Sequence, residues 1–362
     1  MDCCSLPPLV FLIISTFPLY ASAFKCGSSP VKCQALIDHI TPESTTFVEV
    51  QTLFAVRNLR TLLGANNLPR STPPDQKLPA KQTLKIPFPC LCHSGAGISN
   101  KRPVYTVKQG DYDGLKGIAE KVFSGAVTDA AISAANGISG KDPVKVGQNL
   151  SIPLPCSCDD VEGMKVVHYG HLAESWSSLE AIADRYGVSV PILMEINGLK
   201  DGSSIRGGQL IDVPIRACNS SIRSDSIDSQ LLVANGTYAF TAHNCVQCKC
   251  DSANNWTLQC QPSGVRPSDW STCPAMQCGE GNDAVLLGNS SASACGGATC
   301  AYGGFSSNQT IFTTFDGTCS GSPSPAPGSG SSNGGEIVPK NSNMVLLSLV
   351  HLIVLYLFCI GG

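Results

Sequence analysis

The sequence predicts an α+β fold of three tandem βααβ units, the first of them degenerate, followed by a disulfide-rich irregular region. An asparagine that recurs at fixed offsets predicts the repeat. Apolar spacing inside the copies predicts their helices and strands, and cysteine pairs predict disulfides that staple the units together. The chain is thus expected to consist of small repeated units held by covalent links.

The repeat is defined by an asparagine that follows a helix-capping residue by eight positions. A glutamine comes next, five positions before a proline. Self-similarity at fixed offsets is the signature of a repeated supersecondary unit. The asparagines, each with its capping residue and its glutamine, are Asn66 with Asn58 and Gln82, Asn136 with Thr128 and Gln148, and Asn197 with Ser189 and Gln209.

Two short helices are predicted in each of the second and third copies. Apolar residues at helical spacing give the first helix one apolar stripe. Thr128 and Ser189 are good N-cap residues and start the second helix. Leu62, Ile132 and Leu193 lie four residues before the repeated asparagines and are expected to face the core. The stripe residues are Leu115, Ile118, Ala119, Val122 and Phe123 in copy two, and Leu179, Ile182, Ala183 and Tyr186 in copy three.

Strand-like runs flank both helix pairs, so the element order in a copy is strand, helix, helix, strand. A unit of about 50 residues is marginally stable alone and needs staples or neighbours. The predicted strands are 104–107 and 150–154 in copy two, and 166–169 and 210–213 in copy three.

Cysteines close the first two copies. Both copies end in the pattern Pro-Cys-x-Cys, at 89–92 and 155–158, and Cys26 and Cys33 lie upstream. Such a pair can also be half of a zinc site, but disulfides are the expected chemistry in a secreted chain. The residues themselves leave the pairing of these six cysteines open.

Both ends of the chain carry targeting signals. Residues 1–23 hold a short apolar run and end in a small-x-small motif, which is typical of a secretory signal peptide; the alternative is a buried strand. Residues 345–360 are apolar and follow a polar spacer and small residues. This is the pattern of a glycosylphosphatidylinositol (GPI) signal, with attachment at Asn333 or Ser332. The alternative is a transmembrane helix, but no cluster of Lys or Arg follows the apolar residues.

The cysteine count and the glycosylation sequons fit a secreted chain. Three of the 19 cysteines, Cys3, Cys4 and Cys359, lie in the two signals. The even number that remains indicates complete disulfide pairing in an oxidising compartment. The Asn-x-Ser/Thr sequons predict N-glycosylation at Asn149, Asn219, Asn235, Asn255, Asn289 and Asn308.

The charge argues against one class of partner. A formal net charge of −3 offers no basic surface for nucleic acid. The sequence predicts neither a cofactor nor a metal site.

The motifs of the repeat resemble a known family. Copy two reads Tyr-Thr-Val-Lys-Gln-Gly-Asp at 105–111, Asn-Gly-Ile at 136–138 and Val-Gly-Gln-Asn-Leu-Ser-Ile-Pro at 146–153, and in these motifs it resembles LysM domains. Three such units separated by Cys-x-Cys, then a Cys-rich region and a GPI signal, resemble the plant LysM domain-containing GPI-anchored proteins over essentially the whole chain. The resemblance implies three disulfides, Cys26–Cys92, Cys33–Cys158 and Cys90–Cys156.

The resemblance also divides the chain into segments. Residues 1–23 are the signal peptide, and 334–362 are the GPI-signal propeptide that is removed from the mature form. Between them come a degenerate LysM-like module at 26–92, LysM modules at 104–156 and 167–216, a Cys-rich glycosylated region at 218–319 and a Gly/Ser/Pro-rich stalk at 320–333.

The resemblance implies a ligand, a β-1,4-linked N-acetylglucosamine glycan, in a groove between the loop after the first strand and the loop before the last strand. Glycines in such loops let backbone groups approach an acetamido group closely, while Ile138 and Tyr112 offer apolar surface to the sugar. Gly110 and Gly137 have turn formation as an alternative role. In copy two the implied contact residues are Gln109, Gly110, Asp111, Tyr112, Asp113, Gly114, Leu115, Asn136, Gly137, Ile138, Ser139, Gly140, Lys141 and Asp142.

Copy two is expected to carry the main site. Copy three has the matching second loop at 197–201, but its first loop at 170–175 lacks the Gln-Gly-Asp form. Copy one has neither motif and contains Pro69, Pro73 and Pro74. Copy one is therefore expected to be a structural partner, and copy three a support to the site.

The Cys-rich region is expected to be a spacer or a partner surface. Its acidic residues are scattered singly, whereas a glycosidase sets two carboxylates across a cleft in a sizeable fold. The chain is therefore not expected to be an enzyme.

The leading hypothesis is a cell-surface receptor for microbial glycans that contain N-acetylglucosamine, acting in plant innate immunity. Peptidoglycan is the expected ligand, and chitin oligomers are the second one. A GPI-anchored chain on the extracellular face of the plasma membrane needs a transmembrane partner. The resemblance implies a LysM receptor kinase, and oligomers with itself or with related GPI-anchored proteins. The alternatives are a chitin-specific receptor, a wall-anchoring glycoprotein without signalling, and a wall-remodelling hydrolase, against which the missing catalytic domain argues.

Overall fold

The structure is a computed structural model that describes residues 24–27, 30–111, 113–139, 143–202, 205–281, 284–291 and 297–316. The expected signal peptide, stalk and GPI signal, with Asn333 and Ser332, lie outside these residues. So do Tyr112, Gly140, Lys141 and Asp142 of the expected site. Within the described part of the chain, no helix has the length and apolar character needed to cross a bilayer.

All three copies are βααβ units, and the predicted α+β fold is confirmed. Copy one contains β1 (Val31–Ile40), β2 (Thr45–Thr46), α1 (Phe47–Leu53), α2 (Leu59–Ala65), β3 (Lys77–Leu78) and β4 (Thr83–His93), and β5 (Ala96–Ser99) follows it. Copy two contains β6 (Val104–Thr106), α3 (Gly114–Gly117), a π-helical turn (Ile118–Val122), α4 (Asp129–Asn136) and β7 (Asn149–Ser151). Copy three contains β8 (Val166–Leu172), α5 (Leu179–Tyr186), α6 (Val190–Asn197) and β9 (Leu210–Arg216).

Copies one and three share one five-stranded sheet, with the strand order β5-β4-β1-β8-β9. Strand β1 pairs antiparallel with β4 from Val31 opposite Cys92 to Ile40 opposite Thr83. Its other edge pairs parallel with β8, where Leu36 lies opposite Tyr169. The degenerate copy therefore supplies the central strand of the largest sheet among the described residues.

The second helix of every copy begins and ends as the repeat predicts. Its N-cap side chain accepts a hydrogen bond from the backbone N–H three residues later: Asn58 from Thr61 at 2.9 Å, Thr128 from Ala131 at 3.1 Å and Ser189 from Ile192 at 3.4 Å. The residue after the repeated asparagine is left-handed in each copy: Gly137 with φ 61°, Gly198 with φ 62° and Asn67 with φ 51°. Leu62, Ile132 and Leu193 are all 0% exposed, as predicted.

Copies one and two share one apolar core, and copy three is built around a second core to which copy one contributes Leu36 and Ala65. The Phe123 ring of copy two lies 5.6 Å from Phe54 of copy one and 5.8 Å from Tyr105, both edge-on. The predicted stripe of copy two is buried except for the partly buried Val122, and the first helix continues as the π-helical turn from Ile118. Copy two thus packs on copy one, while its strands β6 and β7 pair with each other.

The disulfides Cys26–Cys92, Cys33–Cys158 and Cys90–Cys156 are formed, as the resemblance implies. The first joins the residues before copy one to β4, and the other two join β1 and β4 to the segment that follows copy two. The sulfur atoms of Cys33, Cys90 and Cys158 lie within 4.8 Å of one another. All three are bonded to other cysteines, so this cluster offers no thiolate to a metal ion.

The Cys-rich region has more regular structure than its sequence indicates. Its strands are β10 (Thr237–Thr241), β11 (Val246–Cys250), β12 (Gln259–Pro262), β13 (Gln277–Cys278), β14 (Val285–Leu286), β15 (Ser290–Ser291), β16 (Ala298–Ser306) and β17 (Thr310–Asp316). Among the described residues of this region the disulfides are Cys218–Cys250, Cys245–Cys273, Cys248–Cys260 and Cys278–Cys300. The region packs on copy one, where the Tyr238 hydroxyl donates to the Leu68 carbonyl at 2.6 Å.

Candidate functional site

The repeated asparagines clamp the second helix of each copy to its last strand. In copy two, Asn136 Nδ2 donates to the carbonyls of Ile132 and Ser151, and its Oδ1 accepts from the Ser151 N–H, each at 2.8 Å. Asn66 makes the same three bonds in copy one, and Asn197 makes them in copy three. The Asn136 side chain therefore serves the fold.

The loop after the first strand of copy two is closed by Asp111. Its carboxylate accepts the Lys108 N–H at 2.7 Å and the Tyr105 hydroxyl at 3.0 Å. Burial and the hydrogen bond to Asp111 raise the pKa of Tyr105 to about 12, so the hydroxyl keeps the proton that it donates. Between these fixed points Gln109 and Gly110 are exposed, and Gly110 has a φ of 112°.

The next three residues have different environments. Asp113 is exposed and forms an ion pair with Lys121, whose hydrogen bond lowers the pKa of the Asp113 carboxyl. Gly114 begins α3 with a φ of 60°. Leu115 is only 6% exposed and belongs to the core shared by copies one and two. The side chain of Leu115 therefore supports the loop from the core. Because this side chain is buried, we no longer count Leu115 among the contact residues that the resemblance implies.

The second loop presents Gly137, Ile138 and Ser139. Ile138 is half-buried against the core, and its backbone is held by Ser133, whose carbonyl accepts the Ile138 N–H at 3.2 Å. Ser139 is exposed. A Cβ atom placed on Gly110, Gly114 or Gly137 would meet no atom within 4 Å. The backbone of both loops is therefore open to an approaching ligand.

A third segment, the turn 145–148, lies beside the first loop. The Gly147 N–H donates to the Val107 carbonyl at 2.9 Å, directly before that loop. Val146 in this turn is 68% exposed. Val146 is not among the site residues expected from the sequence. Its signal there is an apolar residue next to a glycine, outside any helical or strand pattern. Val146 joins the candidate site with Ile138 as an apolar side chain.

Copy three has the same backbone frame with different side chains. Its Gly208 N–H donates to the Ala173 carbonyl at 2.8 Å, which corresponds to the bond from Gly147 to Val107. Its first loop carries a fully exposed Trp176 with a φ of 72°, where copy two has Gln-Gly-Asp. In copy one the matching bond runs from Lys81 to Thr41 at 2.7 Å. The copies thus share a scaffold and differ in what their loops present.

The LysM domain family matches residues 105–153 and 177–214, which lie in copies two and three. The chain is 44% identical over 304 residues to "LysM domain-containing GPI-anchored protein 2" of Arabidopsis thaliana, covering 83% of this chain and 84% of the relative. It is 38% identical to the "Chitin elicitor-binding protein" of Oryza sativa subsp. japonica, covering 81% and 80%. It is 35% identical to "LysM domain-containing GPI-anchored protein LYP4" of the same species, covering 81% and 73%.

Proposed function

Because the chain belongs to the LysM domain-containing GPI-anchored proteins, we propose that it is a cell-surface receptor for glycans that contain N-acetylglucosamine. The name of the rice relative, a chitin elicitor-binding protein, supports this class of ligand. The same name describes a binding protein, which supports a binding role rather than an enzymatic one. Release of soluble sugars from chitin or peptidoglycan by the purified protein would argue against this proposal.

We propose that the glycan binds copy two, between the loop at 109–114, the loop at 137–139 and the turn at 145–148. The observation that carries this proposal is the open backbone of Gly110 and Gly137, held in place by the Asp111 and Asn136 hydrogen bonds. Preformed loops lose little conformational entropy on binding. Backbone amides and carbonyls suit an acetamido group, and Ile138 offers an apolar surface to its methyl group.

Chitin oligomers are the first ligand to test, and peptidoglycan is the second. The rice relative's name favours chitin, whereas the sequence-based preference for peptidoglycan rests on overall resemblance. Both polymers contain N-acetylglucosamine, so competition between purified oligomers is needed to rank them. A role in plant innate immunity follows from either ligand as part of this proposal.

We propose anchorage at the outer face of the plasma membrane through a GPI lipid on Asn333 or Ser332. The names of two relatives as GPI-anchored proteins support this location. A lipid-anchored receptor needs a transmembrane partner to reach the cytosol. We propose a LysM receptor kinase for that role, and oligomers with related GPI-anchored proteins remain part of the proposal.

Replacing Ile138 with Lys tests the copy-two site. The matched control is Leu199→Lys, because Leu199 follows Asn-Gly in copy three and makes the same backbone bond, to the Met194 carbonyl at 2.9 Å. A charge in place of the apolar surface should weaken retention on insoluble chitin on the order of tenfold, about 1.4 kcal/mol. Leu199→Lys should leave retention unchanged.

The readout is a pull-down of the protein from a eukaryotic secretory host, with competition by chitin and peptidoglycan oligomers. Thermal melting of both variants verifies that they are folded. Equal retention of Ile138→Lys and the unchanged protein would move the site elsewhere. Failure of the unchanged protein to bind either polymer would overturn the proposed function.

A further inference from the structure

A cavity of about 690 Å³ lies where copy one, copy three and the Cys-rich region meet. Copy one contributes Lys85, copy three contributes Arg185 and Tyr186, and the Cys-rich region contributes Asn235, Ser252 and Trp256. None of the copy-two loop residues lines it. The cavity is therefore separate from the proposed glycan-binding loops.

Asn235 is the sequon asparagine among the residues that line this cavity. Its side-chain Oδ1 accepts the Ser252 N–H at 3.0 Å, and its backbone N–H donates to the Arg216 carbonyl at 2.9 Å. The first bond orients the side-chain amide, and the second holds the backbone of Asn235. Within the described residues the side-chain Nδ2 of Asn235 has no hydrogen-bond acceptor. Nδ2 is the atom that carries an N-linked sugar.

The walls of the cavity combine aromatic faces with polar groups. Trp256 lines the cavity, and the guanidinium of Arg216, which is not a lining residue, lies 4.3 Å from the centre of its ring. Tyr186 lines the cavity on the opposite, copy-three side. Saturated sugars need both kinds of surface, since their C–H faces pack on rings while their hydroxyl groups need donors and acceptors.

Lys85 brings an ammonium group to the wall of the cavity. Its ammonium lies 5.4 Å from the centre of the Tyr169 ring and 5.6 Å from that of Tyr186, and burial lowers its pKa. In the described part of the chain this ammonium makes no hydrogen bond, although the Asp38 carboxylate favours its charged form. An ammonium group can donate three hydrogen bonds, so acceptor oxygens from an occupant would satisfy it.

We propose that an N-glycan on Asn235 occupies this cavity, with its first N-acetylglucosamine against Trp256 and Tyr186. In its attachment, Nδ2 bonds to the anomeric carbon of a lipid-linked oligosaccharide diphosphate. The bond from that carbon to the diphosphate breaks, and Nδ2 loses one proton. Oδ1 does not take part, so the bond to Ser252 survives. The glycan then joins copy one, copy three and the Cys-rich region.

The proposal does not depend on glycan binding by copy two. It requires passage through the secretory pathway, where sequons are glycosylated. A free N-acetylglucosamine glycan has the same chemistry as the core of an N-glycan, and the experiment below separates the two sources.

The first measurement compares release of the glycans by peptide N-glycosidase F from native and denatured protein made in a mammalian secretory host. Glycopeptide mass spectrometry gives the occupancy of each sequon. Asn149, exposed on β7, is the comparator. In the native protein the Asn235 glycan should be released on the order of tenfold more slowly, because cleavage requires local opening. After denaturation the rates should be equal.

Two variants test the walls and the consequence of removing the sugar. Trp256→Ala should keep Asn235 occupied and bring its native release rate close to that of Asn149, whereas Trp176→Ala, which removes an exposed tryptophan, should not. Asn235→Asp removes the sugar but keeps an acceptor for the Ser252 N–H. It should lower the melting temperature, and Asn149→Asp should leave it unchanged.

An unoccupied Asn235 would overturn the proposal, and so would native release at the rate of Asn149. If Asn235 carries no glycan and Trp256→Ala weakens chitin retention, the cavity binds a free glycan instead. The copy-two site is judged separately, by the Ile138→Lys variant, so the two proposals can fail independently.

Discussion

One asparagine holds each copy together, namely Asn66, Asn136 or Asn197. Its side-chain amide takes the place of several backbone hydrogen-bond partners at once. Each closes the last turn of a helix and fixes a strand beside it with three hydrogen bonds of 2.8 Å. The same geometry in all three copies explains why asparagine recurs at this offset. Aspartate lacks the donors for the two carbonyls, and glutamine places its amide one methylene farther out.

Asn136→Ala should lower the free energy of unfolding by about 2–4 kcal/mol, because it leaves two carbonyls and one N–H without their partners. Chemical unfolding followed by circular dichroism measures this change. Gln109→Ala, at an exposed position of the same copy, should change the stability by less than about 0.5 kcal/mol. A comparable small change for Asn136→Ala would show that the clamp does not hold the copy together.

His39 should make the stability depend on pH between about 6.5 and 4. It is 2% exposed, and burial lowers its pKa from 6.5 to about 4 although Asp38 favours the charged form. The unfolded chain therefore takes up the proton first, and stability falls as the pH drops through this window, by up to roughly 3 kcal/mol.

Unfolding free energies of the protein and of His39→Gln between pH 4 and 7 measure this effect. The variant should show a flatter profile over that window. Burial lowers the pKa of His168, but Asp212 and the Asp159 carbonyl outweigh burial and raise it. Stability from His168 is present at low pH and lost as the pH rises through its folded-state pKa, so it does not imitate the loss from His39. Identical slopes for both proteins would exclude His39 as the cause.

At the scale of elements, strand β1 of copy one contacts both other copies. Its buried Asp38 accepts hydrogen bonds from the Tyr169 hydroxyl, from His171 Nδ1 at 2.8 Å and from the Leu172 N–H at 3.0 Å. The neighbouring His39 lies 3.3 Å from Ser124 Oγ of copy two. One strand therefore meets polar groups of both other copies, which makes its buried charge tolerable. Helix α2 makes a second connection, to β10 of the Cys-rich region.

Gly64→Ala tests the contact between α2 and β10. Alanine in place of glycine inside a helix normally stabilises by about 1 kcal/mol. Here the new Cβ would lie 2.2 Å from the Tyr238 carbonyl oxygen of β10, where the backbone cannot move freely. The variant should therefore be less stable, by about 1–3 kcal/mol.

Thermal and chemical unfolding give the sign of this change. Ala135→Ser, which adds one heavy atom at an exposed position of α4, should change the stability by less than about 0.5 kcal/mol. A stabilised Gly64→Ala variant would show that α2 and β10 are not held at this distance.

At the scale of the whole molecule, the part that carries the proposed ligand site lies outside the shared sheet. Copies one and three build that sheet, and the Cys-rich region packs against copy one. Copy two has its own pair of strands and is held through the common core and the disulfides. Its loops at 109–114 and 137–139 can therefore vary without disturbing the sheet.

Features set by neighbours in the chain could be predicted, whereas features set by distant partners could not. The caps of the second helices and the buried Ile132 follow from contacts a few residues apart, so the sequence pattern reveals them. Strand β1 was missed because Asp38 and His39 interrupt its apolar run, and their partners lie in other copies.

The candidate site shows the same limit. The two loops of copy two were predicted from motifs, but the burial of Leu115 and the position of Val146 depend on packing. The cavity at Asn235 is lined by residues that range from Asp38 to Trp256 in the chain. Residues so far apart in the chain come together only in the complete fold, so no local sequence pattern predicts the cavity.

The parallel pairing of β1 with β8 has a consequence for biosynthesis. Asp38 and Tyr169 are 131 residues apart, so one edge of β1 stays without its strand partner until copy three has been made. Non-local pairings of this kind form slowly, and an open strand edge can pair with other chains. Copy one, although it leaves the ribosome before the other two, therefore cannot complete its sheet until copy three has been made.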